Sequence, residues 1–297
     1  MYIVVLYGGS SPERQVSLCS GHRVCEALTK KGHHVHPFDL REVTYDPELI
    51  GLCQAADAVF LALHGGAGED GTLQQLLEQE GIFHYTGSAP QGAALAMHKQ
   101  RAKERVAAVG VPVATGALCV PDTTLPPLPM PFVLKPISGG SSVGLCEVHT
   151  SKEWEACRVT EVFLCEEYLC GREYTVGILE GHALPVVEIC PRGGRYDYAH
   201  KYGKDATEEI CPAHLSDRES AHLQRLALTA FSALEMRDFG RVDFREDRNG
   251  SPKFLEANAL PGMTATSLFP LAAATDGLPF DELCDMMAAT AAKRKMT

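Results

Sequence analysis

The chain has 297 residues, enough for two or three domains with a well-buried core. It carries 38 acidic against 27 basic residues, a net charge of -11, which argues against a nucleic-acid or anionic-membrane surface and for a small-molecule partner. Eleven cysteines without C-x-x-C spacing give no zinc or dithiol motif and read as small core residues in a reducing compartment. Met1 leads straight into a strand-like run and nowhere do 18 apolar residues follow one another, so a soluble, cytoplasmic protein without a membrane partner is expected.

Residues 3–7 read as a buried strand, GGSSPER (8–14) as a loop, and Val16, Cys19, Val24, Ala27 and Leu28 keep helical spacing up to Gly32. Strands at 35–40 and 58–63 and a helix at 72–80 continue an alternation that argues a parallel sheet with helices on its faces. Its loops at strand ends, GGSSPER and HGGAGEDG (64–71), occupy the positions where open α/β sheets bind ligands. Neither fits G-x-G-x-x-G. Glu13 is either a ligand contact or a surface charge, and His64 either a substrate contact or a hydrogen-bonded structural histidine.

A helix over 91–109 carries Lys99, and 111–120 returns as a strand. PDTTLPPLPMP (121–131) reads as a proline-rich surface connector. A short strand at 132–134 ends in Lys135, followed by ISGGSSVG, whose small residues at 138–144 have N–H groups free to fold over phosphates. It is not a Walker A loop, which places its lysine after the glycines, and a plain glycine-rich hairpin is the alternative. Thr150 and Glu153 form a capping box, and 161–169, 172–179 and 183–190 read as strands. The polar stretch 192–209 has the length of a lid, and its tyrosines and lysines suit an anionic ligand. Ser216 and Glu219 cap the next helix, Ser267-Leu268 opens a short one, and 280–292 closes the chain as an amphipathic helix ending in Lys293, Arg294 and Lys295.

The richest stretch is GRVDFREDRNGSPKFLEANALPGMT (240–264). With Asn249-Gly250 as a two-residue hairpin turn, Asp243 falls opposite Glu256 and Arg241 opposite Asn258, while Val242 and Phe244 alternate to the core. Asp243 and Glu256 repel unless something neutralises them, so loss of one is expected to relieve strain in the empty protein. A hard divalent cation such as Mg2+ suits these oxygens, and Mg2+ implies a nucleotide. The alternative is a solvated hairpin whose charges face water.

Seven segments in order, GGSSPERQVSL (8–18), LHGGAGEDGTLQ (63–74), YTGS (85–88), LKPISGGSSVG (134–144), YDYAHKY (196–202), GRVDF (240–244) and LEANALPGMTATSL (255–268), give the chain its likeness. It resembles the D-alanine:D-alanine ligases of bacterial cell-wall synthesis, members of the ATP-grasp fold. The resemblance implies an α/β protein with α+β elements, in three domains: an open parallel lobe (1–90), a small ATP-grasp lobe (91–172) and a second ATP-grasp lobe (173–297). ATP would phosphorylate the carboxylate of one D-alanine, and the amine of a second would attack the acyl phosphate.

By matched motif, Glu13 would hold the first ammonium, His64 would lie beside its carboxylate, and Ser141 and Tyr202 would link Glu13 to the lid. Lys99, Lys135 and Lys201, with Ser141 and Ser142, would meet phosphates. Glu166, Glu167, Leu169 and Glu173 would hold adenine and ribose. Asp243, Glu256 and Asn258 would bind Mg2+, with Mn2+ as an alternative. Arg241 and the Gly262 amide would form an oxyanion site, and Ser267 and Leu268 would receive the second D-alanine. A homodimer is implied. The chain departs from the family pattern at His98, Gly139 and Ala259, where aspartate, glutamate and threonine are usual. Rival readings are a ligase making a D-lactate or D-serine product with the same ATP residues, and a non-catalytic nucleotide- or amino-acid-binding protein.

Overall fold

The apolar run at the start of the chain becomes the centre of a parallel sheet. In a computed structural model that describes residues 1–140, 144–157, 159, 161–191 and 207–295, β1 (Tyr2–Gly8) lies between β2 (His34–Leu40) and β3 (Ala58–Leu61), parallel to both. Helix α1 (Arg14–Lys30) and helix α2 (Pro47–Ala55) make the crossovers, and α3 (Thr72–Gln79) follows. The sequence reading passed over α2, whose nine residues are too few for a clear period; Asp46 caps it by accepting the Glu48 N–H at 2.9 Å. Parallel strands end on the same side, so the loops after β1 and β3 emerge side by side.

The single helix expected over 91–109 is two, α4 (Pro90–Met97) and α5 (Lys99–Ala108). His98 breaks it, with ψ at 94°, and its Nδ1 accepts the Arg101 N–H at 3.3 Å. The imidazole thus does the capping work of the aspartate usual at this place. A four-stranded antiparallel sheet comes next, ordered β4 (Gly116–Cys119), β7 (Phe163–Glu167), β5 (Phe132–Pro136), β6 (Cys146–Val148). Helix α6 (Ser151–Ala156), begun by the Thr150–Glu153 capping box, covers it with Trp154 against Phe132, ring centroids 5.8 Å apart.

A larger antiparallel sheet runs β11 (Thr207–Ile210), β10 (Val187–Pro191), β8 (Glu173–Leu179), β12 (Phe239–Glu246), β13 (Pro252–Asn258), with β9 (His182–Ala183) beside β8. β11 takes the last three residues of the stretch expected to be a loop up to 209, because Glu208 and Glu209 pair with Cys190 and Ile189 of β10. Helix α7 (Asp217–Ala233), opened by the Ser216–Glu219 box, packs on this sheet, and α8 (Leu268–Thr275) and α9 (Phe280–Ala292) return to the first one. The mixture of one parallel and two antiparallel sheets is the α/β architecture with α+β elements that the sequence implied.

The basic end of the chain does more than face a helix dipole. Arg294 forks onto Asp238 at 3.0 and 2.8 Å and donates to the carbonyls of Phe83 and Tyr85, while the same carboxylate accepts the Gly87 N–H at 3.0 Å. The C-terminal turn, the segment at Tyr85 that bridges to Val59 of β3, and the entry to β12 are therefore tied at one largely buried ion pair. Arg294→Ala leaves Asp238 without its counter-charge, and a loss of about 2 kcal/mol in urea unfolding is expected.

Candidate active site

On the antiparallel pair β5 and β7, Glu166 lies opposite Val133 and Lys135 opposite Leu164, so the two side chains are diagonal neighbours that present opposite charges at one wall of a cleft. The facing wall is the larger sheet, through Glu173, Asp243 and Glu256, and the space between is about 1000 Å³. Lys99 closes one end. Its backbone N–H binds the Ile137 carbonyl at 2.9 Å and its Nζ the Gly139 carbonyl, while Glu256 Oε2 stands 3.9 Å away. One lysine thus joins helix α5, the glycine-rich loop and the hairpin.

The hairpin reaches the expected pairing by an unexpected route. Its loop is five residues, 247–251, held by Asp247, whose Oδ1 accepts the N–H groups of Asn249 (2.8 Å) and Ser251 (3.0 Å). That shifts the first pairs by one residue relative to an Asn-Gly two-residue turn, with Phe244 opposite Phe254. A bulge between Asp243 and Phe244 restores the frame, so Asp243 does lie opposite Glu256 and Arg241 opposite Asn258. Val242 and Phe244 are fully buried on the other face.

The two carboxylates do not confront each other bare. Arg241 forks onto Asp243 at 2.8 and 2.9 Å, and the Thr175 hydroxyl donates to Asp243 Oδ1 at 2.5 Å. The expected repulsion is therefore already met in the empty protein by Arg241 on one side and Lys99 on the other.

A second cleft, of about 750 Å³, opens where the loops after β1 and β3 meet this hairpin. It meets the first at Gly140 and Glu256, which line both. Glu13, His64, Arg241, Asn258, Gly262 and Ser267 face it. His64 has both ring nitrogens engaged, Nε2 with Ser20 Oγ at 3.0 Å and Nδ1 with Glu69 Oε1 at 3.4 Å, and Ser20 Oγ also accepts the Met263 N–H at 3.2 Å. It is a hydrogen-bonded histidine and a cleft residue at once. A Cβ on Gly262 would stand 2.7 Å from Ser267 Oγ, so a larger residue there would push the serine hydroxyl out of its present place. The bare backbone lets the Ser267 side chain cap Thr264 N–H at 2.9 Å beside it. Glu209 on β11 also lines this cleft, and burial raises its carboxyl above the ordinary value against the pull of Arg241.

Residues 121–289 match the family model described as the D-ala D-ala ligase C-terminus. The chain is 43% identical, over 306 aligned positions, to a D-alanine–D-alanine ligase from Bordetella petrii, covering 97% of this chain and 91% of that protein. The chain belongs to the D-alanine–D-alanine ligase family. Among solved structures, the D-alanine–D-alanine ligase of Bacillus anthracis in complex with ATP matches with a TM-score of 0.84 at 30% identity, covering 100% of this chain and 98% of that one. The VanG D-Ala:D-Ser ligase from Enterococcus faecalis gives 0.79 at 26% identity, covering 98% and 99%. The ATP-grasp fold implied by the sequence is thereby established.

In this member of the ligase family, Lys99, Lys135, Glu166, Glu167, Leu169, Glu173, Asp243 and Glu256 come together in the first cleft, and Glu13, His64, Arg241, Asn258, Gly262, Ser267 and Leu268 in the second. Glu167 has one carboxylate oxygen taken by the Thr115 N–H at 2.8 Å. Ser141, Ser142, Lys201 and Tyr202, and most of the polar stretch 192–209, lie outside the described residues. Sequence reasoning missed Ser20, Glu69, Thr175, Glu209 and Lys103. Glu69 and Lys103 carried a usable signal, one sitting five residues after His64 in the same glycine loop, the other one helical turn after Lys99. Ser20 and Thr175 read as ordinary interior positions.

Among the described residues no three His, Cys, Asp or Glu side chains form a ready metal cluster. The hairpin instead gives two carboxylates and the Asn258 amide oxygen, which accepts the Leu260 N–H at 3.0 Å and keeps a second lone pair. All three are hard oxygen donors on one face, a set that fits Mg2+.

Proposed function

We propose that this chain joins two D-alanines into D-alanyl-D-alanine with ATP, through an acyl phosphate, as part of peptidoglycan precursor synthesis. The observation that carries the reading is the meeting of two clefts at Gly140 and Glu256, one lined by lysines for a polyphosphate and the other by Arg241 and Gly262. A γ-phosphate in the first and a carboxylate in the second would then be neighbours, and positioning is the larger part of phosphoryl-transfer catalysis.

Lys99 and Lys135 would grip the phosphates, and Glu166, Glu167, Leu169 and Glu173 would line the nucleoside end. Glu13 would take the ammonium of the first D-alanine, with His64 near its carboxylate. Its Oε2 already lies 3.4 Å from where a Cβ on Gly140 would stand, so it reaches the phosphate loop. Arg241 and the Gly262 N–H would face the oxygen that becomes negative when the second amine attacks. Ser267 and Leu268 would seat that second D-alanine. Asp243, Glu256 and Asn258 would hold Mg2+, or Mn2+, which when bound supplies charge neutralisation for the transferred phosphate.

Lobe boundaries near 90 and 172, a homodimer and a cytoplasmic location complete the proposal. No described helix is long and apolar enough to cross a membrane. The test is ADP release with D-alanine, D-serine, D-lactate and L-alanine offered singly and in pairs. D-alanine alone should suffice for full turnover. Turnover only with D-serine or D-lactate as partner would move the chain to the VanG-like type of product, and nucleotide binding without any acid-dependent ADP release would make it a sensor.

A further inference from the structure

Lys103 belongs to none of the motifs and does not line the cleft, yet its place is built with care. Its Nζ donates to Glu166 Oε1 at 2.6 Å, while Lys135 Nζ donates to Oε2 of the same carboxylate at 2.7 Å. All three side chains are largely buried, at 12%, 5% and 13% exposure for Lys103, Glu166 and Lys135. On β4, Gly116 pairs with Glu166, and a Cβ there would stand 2.4 Å from Lys103 Nζ. The ammonium fills the space that a side chain would take. Burial pushes the Glu166 carboxyl up, but the two ammonium groups outweigh it and hold it below the ordinary carboxylate value.

The charges raise a question that a two-residue pair cannot answer. Lys135 is a cation of this cleft wall beside Lys99 and Arg245, but Glu166 lines the same wall and would cancel its charge, leaving a neutral pair where a polyphosphate needs a cation. Lys103, which does not line the cleft, supplies the second positive charge, so the triad carries a net charge of +1 and Glu166 no longer cancels Lys135. It also fixes Glu166 Oε1, leaving the carboxylate a single orientation toward Lys135.

We propose that Lys103 is a positioning residue for nucleotide binding, a counter-charge behind Glu166 that keeps Lys135 electropositive toward the phosphates. This rests on the reading that the first cleft takes ATP. It assigns no contact with substrate to Lys103 itself.

The experiment compares wild type, Lys103→Met, Lys103→Arg, Glu166→Gln and Lys103→Met/Glu166→Gln, reading direct ATP binding by calorimetry, the KM values for ATP and D-alanine, kcat and thermal midpoint. Lys103→Met should weaken ATP on the order of 10- to 100-fold, with the D-alanine KM and kcat within a few-fold of wild type. Arginine should restore most of the loss. The double variant should lose less ATP affinity than the two single losses added, because removing the carboxylate charge removes what Lys103 was there to balance, while the glutamine keeps a side-chain oxygen toward the nucleoside. Unchanged ATP affinity in Lys103→Met, an equal rise in both KM values, or losses that simply add in the double variant would overturn the proposal. If wild type binds ATP but makes no dipeptide, the ligase reading fails while the calorimetric comparison still decides the role of Lys103.

Discussion

Arg241→Ala is expected to lower kcat by about 10²- to 10³-fold while the KM for ATP changes little, the cost typical of losing one oxyanion donor. The structure adds a second consequence. Arg241 forks onto Asp243, a carboxylate only 6% exposed, so its removal also takes a bidentate ion pair away from a buried charge. A stability loss of about 3 kcal/mol should therefore accompany the kinetic one. The two can be separated by measuring kcat at saturating substrate below the unfolding range. If folded Arg241→Ala turns over within a few-fold of wild type, the arginine only braces the hairpin. Arg241→Lys should recover part of the stability and little of the rate, because a point charge cannot reproduce the planar fork.

Glu256→Gln is expected to reduce kcat/KM on the order of 10²-fold or more, since even the residues that merely orient metal ligands are worth 10- to 100-fold. Its fold should be unaffected, because its side chain is partly exposed and its ion pair with Lys99 is long, at 3.9 Å. Asp243→Asn should lower activity by at least as much, but with a different effect on stability. The fork to Arg241 and the Thr175 hydrogen bond mean that no repulsion is relieved by neutralising it, so it should destabilise, against the expectation drawn from the hairpin pattern alone. The check is a pair of measurements, the Mg2+ dependence of turnover and the thermal midpoint without nucleotide. Wild-type activity of Glu256→Gln at low Mg2+ would remove the metal assignment.

Most of the scaffold was legible because its signals are local. The capping boxes at Thr150 and Ser216 form as read, since the four groups involved sit within three residues of one another. The 280–292 helix begins and ends where its apolar period does. What failed was decided by single residues whose effect depends on neighbours far away in sequence. His98 ends one helix and caps the next, which apolar spacing cannot reveal. The hairpin pairing was right for a compensated reason, an Asp247-held five-residue loop offset by a bulge.

At the site, the residue types on short motifs were legible, but their partners were not. Arg241 and Asp243 were read as sharing a face; their mutual fork follows from burial of that face, which a sequence does not report. Lys103 and Glu166 lie on a helix and a strand far apart in the chain and meet only because Gly116 leaves room between them. Lys295 likewise reaches the carbonyls of Ala55 and Ala56 across the whole chain.

In the proposed reaction a D-alanine carboxylate attacks the γ-phosphorus of ATP, and the amine of a second D-alanine then displaces the phosphate. D-alanine labelled with oxygen-18 in its carboxylate tests this directly. One labelled oxygen becomes the bridge of the acyl phosphate and leaves with phosphorus, so each inorganic phosphate released should carry one oxygen-18 and each dipeptide should lack one. Phosphate released without label, while dipeptide still forms, would contradict the account.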